Sequence, residues 1–357
     1  MIRSKHHSVA VRALTGAAAL GLLLVGCTGS SKADRAIKAT TTTRGATTTT
    51  TPGPPSYPLT GVLQPDPARQ KRPALVVKID NVAPALPQAG VDGADLVYEE
   101  MVESQLTRLV AVFQSADAPR IGPVRSVRTT DLDISAALNY PLFGYSGGNT
   151  GFVAQLRASP VVDVGAETYK GAYFNSGPHE TPHSLYTTTA SLYGLARTNS
   201  RPPAPQFVYR AAGTPAAGAG VAPATHVDVN FGDTVAAWDW DPASQRYQRS
   251  QDGSADVLQS GVRVSTANVI VQEITYVTDG YATGEGIDPP PPIPKGITVG
   301  SGTAMVLTGG TVIRARWSKA SPTSVTEFTD AAGQPVHLTP GPTWVELAPV
   351  GTTPTVR

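Results

Sequence analysis

The sequence predicts an α/β N-terminal domain followed by a mainly antiparallel β C-terminal domain, α+β overall. Three observations predict it. Between residues 57 and 200, short continuous apolar runs alternate with stretches that carry helix-start signals. Residues 201–224 are dense in Pro, Ala and Gly without a periodic apolar face, which reads as a linker or long surface loop. From 225 to 350, short runs that look like strands are separated by turn residues, with no helical period.

The chain opens as a targeting segment, residues 1–26. Arg3, Lys5 and Arg12 form a basic start, and Ala13 to Val25 is an apolar run without a charge, too short for a comfortable permanent span. Leu24-Val25-Gly26-Cys27 has the form of a bacterial lipobox, with Cys27 as the point of lipid attachment. Cys27 is the only cysteine, so no disulfide framework and no thiolate metal site is expected, and stability has to come from burial. Cleavage before Cys27 removes three of the 28 basic residues and none of the 27 acidic ones, leaving a net charge of about −2. That is no footprint for nucleic acid, so any anion site must be local and built from a few placed arginines. Residues 27–56 are low complexity, with threonine runs at 40–43 and 47–51. They read as a disordered tether.

Within 57–200, Ala74 to Asp80 reads as a buried strand and Asp95 to Val102 as a second. Leu106 to Phe113 is a third, hairpinned to the second through Ser104 and Gln105. Leu142 to Tyr145 is a fourth, running into a Gly147-Gly148-Asn149 turn and a helix through Phe152 and Leu156. A last helix is expected from Thr187 to Thr198. Beyond 225, strands are expected at 226–229, 234–240, 246–249, 268–277, 303–307, 311–317 and 343–347. Pro289 to Pro292 is expected to be an extended loop. In 311–317, Ile313, Ala315 and Trp317 share one face and Arg314 and Arg316 the other.

The stretch most suggestive of chemistry is Ile121 to Asp133. Arg125 and Arg128 sit in a loop opened by Gly122 and Pro123, just ahead of a helix for which Thr130 or Asp131 is a natural N-cap. Guanidinium forks beside a helix start suit phosphate or carboxylate. The alternative is that the arginines pair with Asp131, Asp133 or Glu99 and lock the loop.

Asp80, Asn81 and Glu99 lie near strand ends, where ligand-binding groups gather. Glu99 and Glu100 must face opposite ways in a strand, which puts one of them in solvent. His179-Glu180-Thr181-Pro182-His183 fits the two-histidine zinc-protease spacing, but Pro182 denies it the helix that motif needs, so no metal site is assigned. His183 remains as a general base, a ligand contact, or a satisfied loop histidine. Ser126, Ser146 and Ser184 lie in no nucleophile elbow. Trp238, Trp240, Trp317 and Trp344 either fill a β core or form a carbohydrate-stacking platform.

Many ordered fragments carry a resemblance. Lys78-Ile79-Asp80-Asn81, Ala94 to Glu99, Thr107-Arg108-Leu109 with Ala111-Val112-Phe113, and Ile121 to Arg128 closely resemble the YerB-type lipoprotein family. So do Pro182 to Tyr186, Asn268 to Gln272, Trp317-Ser318-Lys319 and Pro340 to Val345. The family is a two-part domain of unknown function (number 3048), and the resemblance covers nearly everything from Tyr57 to Pro349. It implies an envelope lipoprotein of this two-part build and no particular activity.

The functional expectation is a lipoprotein on the extracytoplasmic side of the cell membrane, held there through its N-terminal lipid, with no cofactor. It would bind an anionic envelope ligand, such as a wall glycan or lipid phosphate, through Arg125, Arg128, Asp131, Asp80, Asn81, Glu99 and His183. The alternatives are an envelope transferase or hydrolase acting on a phosphate- or glycan-containing wall precursor, and a scaffold presenting its β domain to another protein.

Overall fold

The computed structural model describes residues 55–63, 66–282 and 290–357. The signal segment, Cys27 and residues 27–54 of the tether lie outside the described residues. No helix among the described residues is long and apolar enough to cross a membrane.

A short helix α1 (Pro67–Lys71), capped by Asp66, leads into β1 (Leu75–Asp80). The antiparallel hairpin of β2 (Leu96–Met101) and β3 (Thr107–Phe113) follows, turning at Ser104 and Gln105, both at positive φ. Helix α2 (Thr130–Ala136) starts one residue before the expected caps, at Thr129, whose side chain makes no cap bond. Asp131 cannot serve as cap because its carboxylate accepts instead from Arg128 N and from Lys78 Nζ. Strand β4 (Leu142–Gly144), helix α3 (Thr150–Ala158) and β5 (Val162–Asp163) make a parallel crossover, with Asn149 capping α3 through Gly151 N at 2.9 Å. Strands β6 (Tyr173–Asn175) and β7 (Leu185–Thr187) pair with each other. The last expected helix shrinks to α4 (Thr189–Tyr193), because Thr187 belongs to β7 and the helix stops at Gly194. The α/β character of this half is confined to the parallel β1-β4-β5 edge with α2 and α3; β1, β2 and β3 pair antiparallel through β3.

The Pro/Ala/Gly-rich stretch is less of a free linker than its composition suggests. Its strands β8 (Val208–Tyr209) and β9 (Val221–Pro223) pair with later strands, and Tyr209 Oη donates to Leu59 O. Beyond it, β10 (His226–Asn230), β11 (Val235–Asp241) and β12 (Arg246–Gln251) form an antiparallel meander with the short β13 (Ser254–Ala255) and β14 (Ser265–Thr266) on its edge. The long β15 (Asn268–Tyr281) pairs with β16 (Pro292–Ile297), so the proline run ends in a strand. Then come β17 (Gly300–Thr308), β18 (Thr311–Lys319), β19 (Glu327–Thr329), β20 (His337–Leu338), β21 (Thr343–Pro349) and β22 (Thr355–Val356). In β18 the buried Ile313, Ala315 and Trp317 alternate with exposed Arg314 and Arg316, and Lys319 continues the buried face.

The two halves share one sheet, ordered β19-β18-β17-β15-β21-β2-β3-β1-β4-β5. The join is β21, which lies parallel to β2 on one side and to β15 on the other. One face of this sheet is covered by the meander: Val77, Val97, Val227, Trp238 and Trp344 belong to one apolar cluster. The other face is covered by α2 and α3, with Val76, Val110, Ile134, Phe152 and Val345 in a second cluster. Each such side chain stabilises by roughly 1.5–3 kcal/mol on burial. Trp238, Trp317 and Trp344 are buried core residues, and Trp238 and Trp344 meet edge to face at 5.1 Å. They form no open stacking platform.

Candidate functional site

The arginine loop is held in place by backbone pairing. Asp80 N donates to Pro123 O at 2.8 Å, Arg125 N to Lys78 O at 2.9 Å, and Val124 N to Leu185 O at 2.7 Å. Farther on, Ser146 N donates to Arg125 O and Val127 N to Gly147 O. The loop therefore lies across the C-terminal end of β1, wedged against β7 and the turn after β4. Gly148 permits this approach: at φ 155° a Cβ there would come 2.9 Å from Val127 Cγ1.

This placement brings Asp80, Arg125 and His183 together. Arg125 Nε lies 2.8 Å from Asp80 Oδ2, and His183 Nδ1 lies 2.8 Å from the same oxygen. Arg128 pairs with Glu103 at 2.6 Å and donates to Val127 O at 2.8 Å. Burial works against the Glu103 carboxylate, but Arg128 and then Arg108 hold it below its ordinary value.

A third guanidinium, missed in the sequence, completes the group. Arg108 faces Asp80 across the β1–β3 pairing and is 7% exposed. Its Nη1 donates to Ser126 O at 3.2 Å, its Nε has no partner, and it forms no ion pair among the described residues. Burial first, and then Arg128, draw it down to about 10. Beside this group opens a cleft of about 260 Å³ lined by Arg128, Glu103, Ser126, Gly148, Asn149 and Phe152 among others.

The remaining assigned residues go elsewhere. Asp131 is fully buried, where Lys78 Nζ reaches it at 2.8 Å and also binds Glu100. Burial and then Asp131 push the Glu100 carboxyl up to about 7 against the pull of Lys78. Glu99 is also fully buried, on the opposite face, and does not reach solvent as one member of the pair was expected to. The sheet is covered on both sides, so alternation sends the two glutamates into two interiors.

Asn81 Nδ2 donates to Glu99 at 3.0 Å, and Arg249 Nη2 reaches Glu99 at 2.7 Å. Arg249 also reaches Asp256 at 2.6 Å and lies over the Trp344 ring. Burial opposes the charge on Arg249, yet Glu99 and Asp256 raise its pKa further. Glu346 sits opposite Glu99 in the β2–β21 pairing and accepts from Trp238 Nε1 at 2.7 Å. Burial and then the Glu99 charge push its carboxyl well above the ordinary value. Asn81, Glu99 and Asp131 are thus fully buried among interior partners, and none of them lines the cleft.

The His179 to His183 segment is a loop, with His179 Nε2 near Pro87 O and His183 turned to Asp80. Lys78 and Arg108 could have been found from sequence, since each is a lone cation inside an otherwise apolar strand and must meet partners there.

The sheet-wide fusion of two sequence halves, with an ion cluster under a Gly-Pro loop, defines an α+β protein of two-part build. The chain belongs to the family described as "Protein of unknown function (DUF3048)". The N-terminal domain model matches residues 59–202 and the C-terminal domain model residues 227–345. It is 24% identical over 297 residues to "Putative lipoprotein YerB" of Bacillus subtilis (strain 168), covering 82% of this chain and 86% of that protein. The crystal structure of YerB from Bacillus subtilis superposes with a TM-score of 0.71 at 22% identity, over 84% of this chain and 98% of that one. That likeness shows the fold.

Proposed function

We propose that this chain is a membrane-anchored lipoprotein of the cell envelope that holds an anionic group in the cleft beside Arg108, Arg125 and Arg128. Anchoring is supported by the lipobox ending in Cys27 and by the likeness to a Bacillus protein named as a lipoprotein. Anion binding rests on one observation: three guanidinium groups share two carboxylates, Asp80 and Glu103, and Arg108, as buried as Arg128, pairs with neither. A buried cation without a counter-ion is costly, and an incoming phosphate or carboxylate relieves that cost. The ligand class is a phosphate- or carboxylate-bearing wall or lipid component.

The test is to measure binding of wall fragments and of anionic-lipid vesicles at fixed salt, with thermal melting alongside. Arg128→Ala lines the cleft and is expected to weaken binding about tenfold, the cost of one charge-assisted contact of roughly 1.5 kcal/mol. Arg108→Gln is expected to weaken it while leaving stability unchanged or raised. Lost stability with unchanged binding in both variants returns the arginines to loop-locking alone.

An envelope transferase or hydrolase is the second reading. It is favoured by His183, whose Nδ1 is oriented by Asp80 while Nε2 makes no hydrogen bond among the described residues. Against it stands Asp131, sealed away with Lys78 and Glu100.

A further inference from the structure

A second cavity system lies away from the arginine cleft, at the other end of the sheet. Its mouth is a groove of about 370 Å³ between the stretch around β8 and the β19 edge. Phe207, Val208, Phe328, Pro335, Val336 and Leu338 line it, so its surface is mainly apolar. Its size falls at the lower end of the ~300–1,000 Å³ range of small-molecule sites.

The groove shares its inner wall with two small cavities. Gln206, Phe207, Thr326 and Phe328 are shared with an inner cavity that also touches Tyr98 and Gln272. Tyr98, Gln206, Gln272 and Thr326 are shared in turn with a third cavity that reaches Lys319 and Thr298 beneath α2. Each inner cavity has a volume of about 10 Å³, room for one water. Gln206 and Thr326 line all three spaces, so an apolar groove is backed, across one wall of side chains, by a small polar interior.

That interior carries an uncompensated cation. Lys319 is 4% exposed; its ammonium donates to Asp133 O at 2.6 Å and forms no ion pair among the described residues. Burial, opposed by Asp133, draws it down to about 8, so it is charged at neutral pH. Close by, Thr298 Oγ1 is buried without a partner. The Tyr98 hydroxyl and the Gln272 amide make no hydrogen bond among the described residues, so they too face the cavities with capacity to spare.

We propose that this groove binds an apolar chain ending in a carboxylate, with the chain between Phe207 and Phe328 and the acid at the Gln206–Thr326 wall, facing the Lys319 cavity behind it. The apolar walls select the body of the ligand, and the single buried ammonium selects the charge of its end. The two water-sized spaces link the acid to Lys319, Tyr98 and Gln272 through bridging water. This site is independent of the anion cleft, sharing none of its lining residues.

The experiment uses the full chain with Cys27→Ser, which removes the acylation point, and calorimetric titration with decanoate and with decanol. Decanoate is expected to bind saturably at one site, at least tenfold more tightly than decanol. Lys319→Met should abolish that preference while decanol still binds. Val208→Asp, at an exposed rim position, should weaken both ligands tenfold or more without lowering the melting temperature. Arg128→Ala should change neither. No saturable binding, equal binding of acid and alcohol, a preference that survives Lys319→Met, or unaltered binding in Val208→Asp would each overturn the proposal. Loss of decanoate binding in Arg128→Ala would place the acid in the arginine cleft and overturn it as well.

Discussion

Glu99 and Glu100 are neighbours in β2, yet they serve two different interiors. On the Glu99 face, the buried cation is answered across the join between the halves: Arg249 of the second half meets Glu99 of the first, with Asp256 and the Trp344 ring around it. On the Glu100 face, the sealed group of Lys78, Glu100 and Asp131 belongs wholly to the first half, and charge continues outward through Arg108 to a cleft. One face uses charge to hold two sequence segments in register. The other leaves it partly unanswered at the surface. Burying ions is costly on both faces, but only the second retains the means to attract something from outside.

This contrast can be broken most severely at Arg249. Arg249→Met leaves two buried carboxylates without their cation and is expected to cost about 3–5 kcal/mol, read as a lower urea midpoint. A loss below about 1 kcal/mol would show that the Glu99 face does not hold the halves together.

A change in pH sharpens the comparison on the other side. Because the folded Glu100 carboxyl is raised to about 7, the native state binds more protons than the unfolded one between about 4.5 and 7. Stability from this group is therefore full at acidic pH and is lost as pH rises through 7, by up to about 3 kcal/mol. Glu346 contributes with the same sign. Glu100→Gln should flatten the decline in melting temperature from pH 5 to 8 without removing it, and an unchanged slope would deny Glu100 this role.

The smallest effect is expected at the rim of the cleft. Asn149→Ala removes the cap that Gly151 N donates to, costing about 1 kcal/mol, with a matching small drop in melting temperature.

Much of the strand order was legible, since β1, β3, β15 and β18 are short apolar or alternating runs whose period is local. The hairpin of β2 and β3 followed from the Ser104-Gln105 turn. Long-range partnership was not legible. Nothing in Thr343 to Pro349 says that it inserts between β2 and β15, and without that knowledge the chain reads as two bodies.

The same gap explains the misplaced charges. One of Glu99 and Glu100 is expected in solvent because the meander that covers the Glu99 face comes from residues more than a hundred positions away. Asp131 was read as a cap because Lys78 was not known to lie under it. Composition also misled at 201–224, where Phe207 and Tyr209 anchor a stretch that looks featureless. At the candidate site, Arg125, His183 and Asp80 are legible as residue types and converge in space, whereas Arg108 is signalled only as a lone cation in an apolar strand, with nothing local to say which loop it meets.

The position of β21 has a consequence for how the molecule comes into being. A chain emerging amino end first presents β1 to β3 early, but the open edge of β2 has no partner until some 240 further residues have appeared. Closure of such a distant pairing is slow, because loop entropy must be met before any contact rewards it. During that interval the β2 edge is exposed to any passing strand, so maturation should depend on late docking of the closing strand more than on prompt folding of the first half.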